Sequence, residues 1–117
     1  MEEALFRTML FDFYGELLTD KQKEYFDLHY NEDLSLAEIA AGEGISRQGV
    51  WDIIRRAEES MRRYEEKTGL VARFAAQRDL IADTEELVSQ LRPMTAGASR
   101  ELTDRIAEKI QELRHGI

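Results

Sequence analysis

Between Ser46 and Tyr64 the apolar residues Val50, Ile53, Ile54, Ala57, Met61 and Tyr64 recur at steps of 3, 1, 3, 4 and 3. That rhythm follows the 3.6-residue period of an α-helix with one buried stripe, and it is the strongest constraint the chain carries. No segment offers the competing signal, an alternation of β-branched and polar residues. The lone proline, Pro93, sits late. The chain is therefore expected to be all-α.

Punctuation divides it into helices. A first helix is expected over about residues 3–14, with Leu5, Met9 and Phe13 on one side. In "LTDKQKEYFDLHY", Thr19 can cap the second helix and Gln22 can return the bond, a capping-box pattern. In "LSLAEIAAGEG", Ser35 and Glu38 repeat that pattern, and Leu34 is spaced to pack on Ile39. Gly42 and Gly44 then end this short third helix, and Ser46 caps the fourth. A short capped helix, a glycine turn and a second amphipathic helix have the layout of a helix-turn-helix.

Past Gly69 the texture changes. Leu70, Phe74, Ile81, Val88 and Leu91 fall near multiples of a 3.5-residue step, as in a long helix packing on another. "RPMTAGAS" reads as a loop, after which Ser99 is expected to cap a last helix with a stripe of Leu102, Ile106, Ile110 and Leu113. The organisation expected is a helix-turn-helix domain over residues 1–67 and a helical arm over 68–117. The arm's narrow stripes suit a homodimer, and they equally suit an arm folded back on the N-terminal unit.

Charge narrows the function classes. The net charge is −8, yet it is unevenly spread: residues 1–45 carry −8, residues 46–63 carry +2, and residues 64–117 carry −2. An acidic body with one basic segment implies a local contact, because a protein gripping a long duplex presents a broad basic face. The absence of cysteine excludes a disulfide scaffold and thiolate metal sites. No apolar run approaches the roughly 18 residues of a membrane span, and the acidic start does not suit a secretory signal. A cytoplasmic protein without membrane insertion is expected.

Catalysis finds no footing. His29 and His115 are far apart and lack helical partners, so no metal site is expected. Ser35, Ser46 and Ser99 are accounted for as caps, and no phosphate-cradling glycine loop or cofactor motif occurs. The chain reads as a non-enzyme with no cofactor.

The candidate surface is the fourth helix. Arg47, Trp51 and Arg55 lie four apart and so share a face, with Gln48 and Arg56 nearby and Arg62 further along. Arginine pairs with phosphate, and an exposed indole stacks on an unpaired base. The plainer alternative is that Trp51 borders the core and the arginines pair with Glu58 and Glu59.

These residues carry a resemblance. Residues 10–70, with "FDFY", "LTDKQ", "LHYNEDLSLAEIA" and "SRQGVWDIIRR", are similar to the YlxM family of small bacterial proteins. The family in turn resembles the helix-turn-helix of sigma factor region 4. Its genes adjoin those of the signal recognition particle GTPase and its receptor. The resemblance implies an accessory or regulatory role in that pathway, with the particle's RNA or its GTPase as partner. A sigma-like, DNA-binding transcriptional regulator is the alternative, and a purely structural adaptor a third. Where a sigma recognition helix would place further base-reading side chains, this sequence has Gly49, Trp51 and Asp52. Glycine has no side chain and aspartate repels phosphate, so a nucleic-acid ligand is expected to be structured RNA before duplex DNA.

Overall fold

The computed structural model describes residues 1–116, and among them there is no strand. The chain forms two compact units, Met1–Val71 and Ala72–Ile117. The first holds α1 (Glu3–Tyr14), a short 3-10 turn (Gly15–Leu17), α2 (Asp20–Tyr30), α3 (Leu36–Glu43) and α4 (Arg47–Thr68). Leu70–Leu91 form α5, which starts at the end of the first unit and supplies one side of the second; after a 3-10 turn (Arg92–Met94), α6 (Ala98–His115) supplies the other.

The apolar stripe of α4 explains the first unit. Val50, Ile54, Ala57 and Met61 are fully buried, and α4 packs against α1, α2 and α3. Leu10 and Tyr14 from α1, Tyr25 and Phe26 from α2, Ile39 and Ala40 from α3, and Val71 at the start of α5 complete the core. Phe26 is stacked on Phe11 and tilted against Tyr30, with ring centroids 5.0 and 4.8 Å away. Each large apolar side chain so buried contributes about 1.5–3 kcal/mol.

The helix ends follow the caps in the sequence. Both capping boxes form: Thr19 with Gln22, and Ser35 with Glu38. Gly44 ends α3 at φ 71° and Gly69 ends α4 at φ 63°, left-handed geometry that costs any residue with a Cβ. The elbow after Gly69 is tied to α1. Tyr14 donates its hydroxyl hydrogen to Glu65 Oε1 at 2.6 Å and accepts from Thr68, while the same carboxylate oxygen accepts the Val71 N–H at 2.9 Å. Burial, and then the bond to Glu65, push the Tyr14 phenol above its ordinary pKa.

The second unit is an antiparallel hairpin. Its ion pairs show the direction: Glu85 meets Arg114, whereas Arg92 meets Asp104 at 2.8 Å. One expectation is corrected here. Ser99 does not cap α6; its hydroxyl bonds both N–H and C=O of Ala96, and Gly97 occupies the cap position. The buried face of α6 is rotated from the apolar stripe. Thr103 and Ile110 are buried, while Leu102, Ile106 and Leu113 are exposed. Thr103 can go inside because its hydroxyl donates to Ser99 O at 2.9 Å, leaving only a methyl to pack.

Candidate nucleic-acid interface

The turn between α3 and α4 sets what α4 can present. Gly44 N–H bonds to Ala40 O at 2.9 Å and closes α3. Ser46 Oγ accepts the Gly49 N–H at 3.0 Å, satisfying one of the open donors at the start of α4. A Cβ at position 49 would lie 3.2 Å from that oxygen, so glycine lets the cap sit close. With Val50 and Ile54 held in the core, Arg47, Gln48 and Trp51 are left at the surface.

Together with Leu36 of α3, these three side chains line a shallow recess of about 400 Å³. Trp51 is 37% exposed, so the indole is neither core nor free. Arg47 is exposed and makes no ion pair among the described residues. The recess thus combines an apolar wall, an aromatic face, an amide and an uncompensated cation. Leu36 is the member that sequence reasoning missed. Leu36 opens α3 at the end away from the turn, and it is the packing of α3 on α4 that sets it beside Arg47, Gln48 and Trp51.

The other arginines are placed differently. Arg55 continues the Arg47–Trp51 face, but its Nη1 donates to Glu59 at 2.6 Å and it lies 3.9 Å from Asp52. Gln48 also donates to Asp52, at 3.1 Å. Arg56 is exposed, yet nine residues at about 100° each put it half a turn round α4 from Arg47. Arg62 is bound into the scaffold: it pairs with Glu3, donates to Glu58 at 3.1 Å, and lies 5.1 Å from the Phe6 ring centroid. The structure therefore gathers Arg47, Gln48 and Trp51, leaves Arg55 adjacent, and separates Arg56 and Arg62 from them.

Glu58 shows why Arg62 is held. Burial alone would raise this carboxyl's pKa, but hydrogen bonds from Arg7, at 2.7 Å, and Arg62 outweigh it and hold the value below the ordinary glutamate range. Arg7 in turn lies 4.4 Å from the Tyr30 ring centroid, so α1, α2 and α4 are strapped together through one acid. Among the described residues no His, Cys, Asp and Glu group is arranged to hold a metal ion, and no helix is long and apolar enough to cross a membrane.

A short capped helix, a left-handed glycine and a long amphipathic helix with its N-terminal face open to solvent define a helix-turn-helix protein. The comparison with known proteins agrees. The chain belongs to the UPF0122 family, "Putative helix-turn-helix protein, YlxM / p13 like", which matches residues 1–112. It is 48% identical over 87 residues to a UPF0122 protein of Caldanaerobacter subterraneus, covering 74% of each chain. A UPF0122 protein of Desulforamulus reducens is 38% identical over 109 residues, 93% of each chain. One from Shouchella clausii is 40% identical over 106 residues, 91% of this chain and 95% of its own.

Proposed function

We propose that this protein is a non-enzymatic accessory or regulatory protein of the bacterial signal recognition particle pathway, and that it contacts the particle's RNA through the N-terminal face of α4. The observation that carries the RNA contact is the recess of Leu36, Arg47, Gln48 and Trp51, in which a half-exposed indole stands beside an unpaired arginine. An unpaired base stacks on the indole while Arg47 takes a phosphate, and Arg55 can exchange Glu59 for a second one. The pathway comes from the resemblance to YlxM proteins and from no feature of the recess.

Duplex DNA suits the surface less well. Asp52 lies among the groups that would face a groove and already accepts from Gln48, so base-edge contacts would begin by breaking that bond.

The test is fluorescence anisotropy of the purified protein against the particle's RNA and a random-sequence DNA duplex, with Arg47→Ala, Trp51→Ala and Arg62→Ala alongside wild type. Expected are preference for the RNA and roughly tenfold or greater weakening by Arg47→Ala and Trp51→Ala, since a stacked base contributes about 1–3 kcal/mol. Arg62→Ala is expected to lower stability and leave the affinity of the folded protein in place. Equal binding of RNA and DNA, or indifference to Trp51→Ala, would overturn the stacking contact. Tight, salt-insensitive binding to the particle's GTPase with none to RNA would move the reading to a protein partner.

A further inference from the structure

The hairpin of α5 and α6 buries one row of side chains from each helix between them and leaves a second row uncovered. Leu80 and Thr84 of α5 line one groove of about 290 Å³ with Ile110 and Leu113 of α6. Leu87 and Leu91 continue the row of Leu80, and Leu102 and Ile106 that of Leu113, at helical spacings of three, four and seven. Both rows therefore lie on the same face of the hairpin. Six aliphatic side chains stand on it, from Leu91 at 46% exposed to Leu80 at 65%. Together they offer on the order of 600 Å² of apolar surface, the upper end for the largest patch of a monomer and near the roughly 800 Å² that each partner contributes to a stable interface. Thr84 does not spoil it, because its hydroxyl donates to Leu80 O at 2.6 Å and needs no further partner.

We infer that this face is where a second copy of the chain docks, two hairpins closing into a four-helix bundle in which α5 of one copy lies on α6 of the other. The charges beside the stripe select that arrangement. Further round α5 come Asp83 and then Asp79, exposed and without an ion pair among the described residues. Further round α6 come Lys109, whose one ion pair among the described residues is a loose 3.7 Å contact with Glu112, and Arg105, likewise unpaired among them. Laying α5 on α5 would set the acids of one copy against the same acids of its partner. Laying α5 on α6 sets the acidic edge against the basic one on both sides of the two-fold axis.

A two-helix face is also self-complementary in a way that few other occupants match. A single amphipathic helix would fill the groove and leave one row bare, whereas a second hairpin covers both rows and forms the left-handed packing of ordinary four-helix bundles. This inference stands independently of any nucleic-acid contact.

The full-length chain is tested by light scattering after size-exclusion chromatography and by sedimentation equilibrium. Wild type is expected at twice its 13.6 kDa monomer mass. Leu87→Glu and Ile106→Glu are expected to raise the dimer dissociation constant by roughly two orders of magnitude or more, with helical circular dichroism unchanged because both side chains are exposed. Asp83→Arg is expected to weaken the dimer about tenfold, and adding Arg105→Glu and Lys109→Glu to the same chain to restore it. A monomeric wild type, or a dimer indifferent to Leu87→Glu and Ile106→Glu, overturns the docking face. A dimer lost in those variants but unmoved by Asp83→Arg overturns the placement of α5 on α6.

Discussion

Arg47 and Arg62 are the same residue type on the same helix, yet they belong to different systems. Arg47 faces a recess with no acid paired to it, and Arg62 completes the strap around Glu58. The difference is made by neighbours from α1: Glu3, Phe6 and Arg7 reach the Arg62 and Glu58 side chains. The strap carries a pH dependence. Because the folded pKa of Glu58 lies below its unfolded value, its contribution is complete above the ordinary glutamate range and is lost as pH falls through the folded value. Glu58→Gln is expected to cost about 1–3 kcal/mol at neutral pH, since two guanidinium groups lose their carboxylate. Urea midpoints for the two proteins should converge as pH drops below about 4. A constant gap down to about pH 2 would show that the strap is not what titrates.

At the scale of elements, the α3–α4 turn decides whether the recess exists. Leu36 is on one helix, and Arg47, Gln48 and Trp51 are on the next, so the recess is only as well formed as Gly44 and Ser46 make it. Gly44→Ala places a Cβ in left-handed geometry and is expected to cost about 1–2 kcal/mol. Nothing lies within 4 Å of that Cβ, so the cost is backbone strain and not a clash. Denaturant unfolding gives the stability. Anisotropy against the RNA gives the second expectation, an affinity that falls in Gly44→Ala although no contacting side chain has changed. Unaltered affinity would mean that the turn relaxes without moving Leu36 from the recess.

For the whole molecule, a net charge of −8 opposes any polyanion, and the surface proposed to meet one has Arg47 unpaired and Arg55 shared with acids. Only one or two phosphates can be neutralised. The slope of log affinity against log salt is then expected between about −1 and −2, far from the values near −10 of proteins that grip a duplex. A titration series in potassium chloride measures it. A steep slope would require a basic surface that this fold does not present on α4.

The fold was legible because its causes are local. The rhythm from Val50 to Tyr64, the boxes at Thr19–Gln22 and Ser35–Glu38, and Gly44 all act within a few residues, so periodicity and capping specified an all-α helix-turn-helix chain. One misreading shows where local causes stop. Ser99 looked like a cap because caps are serines before helices, but its hydroxyl is taken by Ala96. Leu102, Ile106 and Leu113 do form the stripe that helical spacing implies, and packing against α5 buried Thr103 and Ile110 while leaving those three exposed. The candidate site divides in the same way. That Arg47 and Trp51 share a face follows from helical spacing alone. That Arg47 is left unpaired, Arg62 is held by Glu3 and Glu58, and Leu36 joins the recess was decided by residues distant in sequence. A single sequence carries the periods of its helices; which groups meet across them is settled only when the helices pack.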